Sequence, residues 1–385
     1  MENKGLAHTD LDHNATGTVA RECLEAMLGC LQPGIGNPSS AHAAGMRAKG
    51  LLQESRAEVA RLIGAQSREI VFTSSGTEAN HTAILGILTE RPDRRHIVTS
   101  RVEHPATLRL LRHLEGSGVR VTYLPVDGEG RLAPSAVREA ITPDTGLVTL
   151  MWANNETGVL FPIPEIAEAT QAVGVAFHVD AVQAAGRVPI DVARVPVDML
   201  SLSGHKLHAP PGAGALFVRK GLKIAPLLYG HQERGLRGGT ENLPAIVAFA
   251  RACALARADL TDQAVRIARL RNDLEQAICD RFPFARVHGA LAPRLPNTSN
   301  IGFGTLDGER IMTSLDRRGI AVSLGAACAA GGMEPSHVLM AMGLDRQAAL
   351  AAIRFSFGRY NTHACVDRVL AHLPEILREA AARVA

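Results

Sequence analysis

Lys206 closes the run Ser203-Gly204-His205-Lys206, and Asp180 closes His178-Val179-Asp180 a short way before it. An amine can condense with an aldehyde cofactor, and a carboxylate beside a pyridine nitrogen keeps such a ring protonated as an electron sink, so this pair suggests pyridoxal phosphate chemistry. Gly325-Ala326-Ala327-Cys328 adds a thiol that would turn a general amino-acid enzyme toward sulfur. With 41 Lys and Arg residues in the chain, a lysine with an acid upstream is common by itself, and the neighbouring residues have to carry the assignment.

Several of them offer matching chemistry, each with a plainer alternative. Ser74-Ser75-Gly76-Thr77-Glu78 opens a helical pattern and puts free backbone amides and hydroxyls where a phosphate could dock; Ser followed by Glu is also simple helix capping. Ser203 and His205 could add donors to the same anion, although Ser203 could equally be a turn residue. Asp180 ends an apolar run, where a lone carboxylate is costly; a protonated pyridine nitrogen, a helix cap or an arginine would each answer it. Gln183, one helical turn on, could bond the cofactor's phenolic oxygen or be a surface amide.

His104 precedes Pro105 and could stack on a cofactor and exchange protons near neutral pH, but it is one of 15 histidines, and a lone histidine is usually structural. Arg354, in the alternating run Ile353-Arg354-Phe355-Ser356, could grip a substrate carboxylate bidentately or make an ordinary ion pair. Cys328 stands among small residues, Gly325 and Gly331-Gly332, which predicts a segment able to swing between Val322 and a helix at 335–342. Its thiolate would be the reactive form; without the pyridoxal site an incidental cysteine is the plainer reading.

The elements needed to position these groups are legible. Short β-rich runs at 69–73, 96–99, 119–124, 146–152, 175–179, 197–202 and 213–218 alternate with helical patterns, which predicts an α/β fold with a mostly parallel sheet covered by helices. The last two runs are joined by a loop with Pro210-Pro211-Gly212, too short for a helical crossover, so the final strand should be antiparallel. The polar candidates follow these strands, and ligands of open α/β sheets bind outside the carboxyl ends, so they should converge. A boundary is expected near 259–261. Beyond it, Ile267, Leu270, Leu274 and Ile278 keep helical spacing, and 297–303 and 352–357 read as strands. This predicts a large domain at 16–258, and a smaller α+β domain made of 1–15 with 259–385.

Composition narrows the class. At 385 residues with 46% hydrophobic and 21% charged, the chain can bury a large core. The net charge of +3 and the absence of a basic stripe interleaved with aromatics argue against nucleic acid as a partner. No apolar run is long enough to span a bilayer and the first residues lack the apolar core of a signal peptide, so a cytoplasmic protein without membrane contact is expected. Six scattered cysteines without a C-x-x-C pair predict neither a zinc site nor a disulfide framework.

Met151-Trp152-Ala153-Asn154-Asn155-Glu156-Thr157-Gly158, His178-Val179-Asp180-Ala181-Val182-Gln183, Ser203-Gly204-His205-Lys206-Leu207-His208-Ala209-Pro210 and Gly230-His231-Gln232-Glu233-Arg234-Gly235 resemble, in order, the motifs of cysteine desulfurases, leaning toward the nitrogen-fixation (NifS-type) branch. The resemblance runs from Leu11 to the last helix. It implies a fold-type I pyridoxal-phosphate enzyme of the class V aminotransferase group, a homodimer with its sites at the subunit interface. It implies further that Lys206 is the cofactor-bearing lysine, that Thr77, Ser203 and His205 hold the phosphate with Thr240 of the neighbouring subunit, that Asp180 faces the pyridine nitrogen, and that Gln183 binds the phenolic oxygen. His104 matches the stacking, proton-handling histidine; Asn155 and Arg354 match the groups that hold the substrate carboxylate.

The implied reaction takes L-cysteine to L-alanine, leaves a persulfide on Cys328, and passes the sulfur to an iron-sulfur scaffold or another thiol acceptor. Two departures stand out: Ala326, Ala329 and Ala330 replace the usual Ser or Thr around Cys328, and Asp12-His13-Asn14-Ala15-Thr16-Gly17 carries His and Gly where the family has Asn and Thr. A selenocysteine lyase or other β-eliminating enzyme, an aminotransferase and a catalytically silent sulfur-assembly scaffold are the alternatives.

Overall fold

The computed structural model describes residues 8–325, 328–329 and 332–381, with the backbone alone at 328–329 and 332–333. After a short strand β1 (Thr9–Asp10), helices α1 (Arg21–Cys30) and α2 (Ala43–Leu62) lead to the seven strands of the main sheet: β2 (Ile70–Thr73), β3 (His96–Ser100), β4 (Arg120–Leu124), β5 (Thr145–Met151), β6 (Ala176–Asp180), β7 (Met199–Ser203) and β8 (Gly214–Val218). Between the strands run α3 (Gly76–Glu90), α4 (Pro105–Glu115), α5 (Pro134–Ala140) and α6 (Ile163–Ala172). The spatial order is β2-β8-β7-β6-β5-β3-β4. β8 runs antiparallel to both of its neighbours, β7 and β2, and the other pairs are parallel, as the short Pro-Pro-Gly connection requires.

Most of the strands are buried along their whole length because both faces of the sheet are covered, and the edge strand β4 is partly exposed. Alternate residues go to opposite sides: Ile70, Phe72, Leu200, Leu202 and Phe177 join one cluster with α1, α2, α6 and the later helix α7 (Leu243–Ala258), while Val71, Met199 and Ala176 join another with α3 and α4. Phe177, fully buried three residues before the end of its strand, ties β6 to the first cluster. Phe177→Ala is expected to lower unfolding free energy by about 3–5 kcal/mol through the cavity it leaves, to be read from urea denaturation.

After Asp259 the chain turns from α7 into α8 (Leu260–Arg281). There follow β9 (Arg286–Val287), β10 (Thr298–Gly302), α9 (Gly308–Asp316), β11 (Ile320–Ala321), β12 (Ser323–Leu324), β13 (Cys328–Ala329), β14 (Gly332–Met333), α10 (His337–Ala341), α11 (Arg346–Leu350), β15 (Ala352–Ser356) and α12 (His363–Ala381). A second sheet has the order β12-β15-β10-β9, β1 pairs in parallel with β11, and β13 pairs with β14. Leu11 packs with α8, β10, β15 and α12 in a third apolar cluster, so the start of the chain is built into its carboxyl-terminal part.

The expected swinging segment after Val322 begins differently. Ser323 and Leu324 pair with Arg354 and Ile353, so backbone hydrogen bonding holds the chain up to Leu324. Ala326, Ala327, Ala330 and Gly331, and the side chains of Cys328 and Ala329, lie outside the described residues.

Candidate active site

The cavity forms where β2, β5, β6 and β7 end. Asp180 is the last residue of β6 and Ser203 the last of the adjacent β7, which then tightens into the turn Gly204–Leu207 carrying Lys206. Gly204 lets that turn lie on α7, since a Cβ there would be 3.0 Å from the Phe249 ring. Lining the cavity, about 390 Å³ and within the usual range of small-molecule sites, are Gly76, Thr77, His104, Asn155, Asp180, Gln183, Ser203, His205, Lys206 and Arg354. Each of these belongs to the sequence-predicted set. Thr240 does not join them; it is exposed and borders a separate cavity with Phe72, Thr73 and Arg237.

Lys206 Nζ donates to the backbone carbonyls of Asn14 (2.5 Å) and Ala15 (2.6 Å). Burial lowers its pKa to about 7, with the Arg187 and Arg354 cations pushing the same way against Asp12 and Asp180. An amine in this state has a large unprotonated fraction at neutral pH and can act as nucleophile or base. Asp180 accepts from Asn80 Nδ2 at 2.7 Å and from the Val182 amide at 3.0 Å. The residues that follow form turns rather than a helix, so a turn amide and Asn80 answer the carboxylate in place of a helix cap; among the described residues no arginine takes part, and Asp180 still lines the cavity.

At the start of α3, Ser75 Oγ accepts from the Glu78 amide (3.1 Å) and Glu78 accepts from the Ser74 amide (2.8 Å), so the capping alternative is realised. Capping uses Ser75 and Glu78 and leaves Gly76 and Thr77 at the cavity wall. His205 is held neutral by burial, and by the Lys206 and Arg187 cations, with its pKa down at about 4; its Nδ1 lies 3.2 Å from Thr16 Oγ1. A neutral imidazole can still donate one hydrogen bond to an anion.

His104 caps α4, accepting from the Ala106 amide at 3.2 Å, with Pro105 opening the helix. Its surroundings lower its pKa by desolvation, against the Asp180 charge and along with that of Lys206. Gln183 is a buried amide rather than a surface one: its Nε2 donates to the Asn14 carbonyl at 3.0 Å and its Oε1 accepts from Arg187.

Arg354 donates to the Asn155 carbonyl (3.0 Å) and to Asp12 (2.7 Å), which is the ordinary ion pair the sequence allowed. Its Nε is nevertheless buried without a hydrogen-bond partner among the described residues. An unmatched guanidinium donor at a cavity wall is suited to an incoming carboxylate.

Sequence reasoning missed Asn80, Arg187 and the direct role of the Asn14 and Ala15 carbonyls. Asn80 lies one turn after Gly76 on α3, and Arg187 one turn after Gln183; that spacing was the available signal. The two departures near the start have a structural reason. A Cβ at position 17 would sit 3.0 Å from His208 Nδ1, and His13 is buried against Gly358 and 5.4 Å, ring to ring, from His208. Gly17 thus makes room for His208, which itself bonds the Thr18 carbonyl at 2.8 Å.

An amine, a carboxylate on the neighbouring strand, and a helix start with Gly76 and Thr77 at the cavity wall define an amino-acid-handling α/β enzyme, and residues 10–369 match the family described as aminotransferase class-V, to which the chain belongs. Within it the likeness is to cysteine desulfurases. A cysteine desulfurase of Cereibacter sphaeroides is 52% identical, covering 95% of each chain. The cysteine desulfurase NifS of Azotobacter vinelandii is 45% identical over 97% of this chain and 94% of its own. A solved NifS-like protein superposes with a TM-score of 0.91 at 36% identity, covering 97% of this chain and 100% of that one.

Proposed function

We propose that this chain is a pyridoxal-phosphate-dependent cysteine desulfurase that converts L-cysteine to L-alanine and takes the sulfur as a persulfide on Cys328. The observation that carries the reading is Lys206, an amine with its pKa brought to about 7, at the wall of a cavity that also holds Asp180 on the adjacent strand. When bound, the cofactor would supply an aldehyde for the amine and an electron sink for the amino acid's carbon skeleton.

The donor set fits that group. Lys206 would carry it, Asp180 would face the pyridine nitrogen, and Gln183 the phenolic oxygen. Gly76, Thr77, Ser203 and His205 would hold the phosphate, with Thr240 of the partner subunit in a homodimer; the exposure of Thr240 away from its own cavity supports that arrangement. His104 would cover the ring. Asn155 and Arg354 would fix the substrate carboxylate, leaving Lys206 to move protons at the substrate's α-carbon.

In the overall change the carbon–sulfur bond of L-cysteine breaks and a sulfur–sulfur bond to Cys328 forms. The electron pair of the broken bond stays with carbon, which gains a proton and becomes the alanine methyl group. Carbon is reduced and sulfur oxidised, so no outside oxidant is needed. An iron-sulfur scaffold or another thiol would then take the persulfide sulfur. We place the protein in the cytoplasm, with a large domain at 16–258 and a small one formed by 1–15 and 259–385; among the described residues no helix is long and apolar enough to cross a membrane.

The test is incubation of the cofactor-loaded protein with L-cysteine and mass analysis. One added sulfur on Cys328 with equimolar alanine is expected; alanine formed without it, or only with a 2-oxo acid present, would overturn the reading. Arg354→Lys keeps the charge and loses the planar fork, so KM for L-cysteine should rise about 10- to 100-fold with kcat little changed. Steady-state kinetics showing an unaltered KM would remove Arg354 from the carboxylate site.

A further inference from the structure

Glu156 sits in the turn after β5, next to Asn155, yet its side chain does not line the Lys206 cavity. Only 5% of the residue is exposed. Its Oε2 accepts a hydrogen bond from Ser336 Oγ, and Ser336 is the N-cap of α10, where the same Oγ accepts from the Leu339 amide at 3.1 Å. That carboxylate oxygen also lies directly on Gly325: a Cβ there would come within 2.4 Å of it. One oxygen thus touches the two residues that bracket, in sequence, the stretch carrying Cys328.

The other end of Glu156 is equally fixed. Its amide donates to Asn154 Oδ1 at 2.9 Å, and its carbonyl accepts from Asn300 Nδ2 at 3.4 Å. The backbone carbonyl of the adjacent Asn155 accepts from Arg354, the cation assigned above to the substrate carboxylate. A single turn therefore binds the guanidinium on one side and both flanks of the Cys328 stretch on the other.

We infer that Glu156 is a positioning residue for sulfur transfer, its carboxyl group anchoring Gly325 and Ser336 to the turn that holds Arg354 and so fixing where the Cys328 segment leaves and rejoins the fold. The inference rests on the persulfide reading. It explains why position 325 is glycine, since any side chain would displace the carboxyl group. Burial raises the Glu156 pKa to about 7, against the Ser336 hydrogen bond and the Arg354 charge. Anchoring therefore depends on shape and hydrogen bonding rather than on full ionisation, and an amide of the same shape should serve.

The experiment follows single turnover of the cofactor-loaded enzyme with L-cysteine. Substrate binding is read from the visible absorption of the bound cofactor, and sulfur on Cys328 from mass analysis of quenched samples. Glu156→Ala and Gly325→Ala break the same contact from opposite sides, so a folding failure in the first leaves the second to decide. Each should slow sulfur loading by about tenfold or more while half-saturation by L-cysteine stays within about threefold of the parent. Glu156→Gln should load sulfur within about threefold of the parent rate. Parent-like loading in Gly325→Ala, or loss of binding and loading in parallel, would overturn the anchor alone. A parent enzyme that takes no sulfur on Cys328 would overturn the persulfide reading and the anchor with it.

Discussion

Lys206→Ala is expected to lower alanine formation from L-cysteine by on the order of 10⁴-fold or more, because in the proposed site it removes both the covalent attachment point and the base that would move protons at the α-carbon. Binding need not vanish: Gly76, Thr77, Ser203 and His205, proposed to hold the phosphate, line the cavity with Asp180 and Gln183 independently of the amine. The loaded variant should therefore still hold cofactor by its non-covalent contacts while lacking the spectrum of a lysine adduct. Turnover within tenfold of the parent would show that another group performs the proton transfers, and the role of Lys206 would have to be abandoned.

The same lysine carries a pH signature in the cofactor-free protein. Its folded pKa of about 7 lies below the ordinary 10.5, so within that window the unfolded chain binds a proton that the folded chain does not. Below the window both states are protonated and the cost of burying the charge is fully present; above it both are neutral and the cost is gone. This group's contribution to stability therefore rises with pH from about 7 to 10.5. Lys206→Met should flatten that rise in urea midpoints measured across the window.

The sheet was readable because most of its strands, buried on both faces, are short runs dominated by apolar residues, and because the Pro210-Pro211-Gly212 link left no room for a crossover. Strand-end placement then gathered Asp180, Ser203 and Lys206 without knowledge of any contact. What stayed hidden was pairing between distant parts of the chain. The carbonyls that receive the Lys206 ammonium come from 192 and 191 residues earlier, and Asp12 reaches Arg354 across 342.

No local periodicity encodes such partners. Asn14 could be read as part of a motif, but not as the residue whose carbonyl also receives Gln183. Asn80 is a milder case: helical spacing puts it on the side of Gly76, yet only the packing of α3 over the sheet brings it to Asp180. The Ser74–Glu78 run shows a different limit. Capping and ligand binding were rival readings of one pattern, and in the structure Ser75 and Glu78 do the capping while Gly76 and Thr77 line the cavity.

Cys328→Ala carries the second large effect, and it separates the desulfurase from its nearest alternatives. A selenocysteine lyase or a simple β-eliminating enzyme needs no thiol of its own to release the chalcogen, whereas persulfide formation consumes one as nucleophile. The other cysteines cannot readily substitute. Cys253 is fully buried and burial pushes its thiol well above the ordinary value, Cys23 is raised to about 11 by the same cause, and among the described residues none lines the Lys206 cavity. The variant should bind L-cysteine and change the cofactor's visible absorption as the parent does, but alanine formation should fall on the order of 10²-fold or more. Small added thiols in excess should restore part of it, taking the sulfur as their own persulfide, which a second thiol reduces to sulfide while a disulfide forms. Should the variant make alanine at the parent rate without added thiol, another group takes the sulfur and Cys328 is not the acceptor; should it give sulfide, ammonia and pyruvate at the parent rate in place of alanine, the enzyme is an eliminating one; should it fail to bind L-cysteine at all, the thiol is part of the binding site instead of the acceptor.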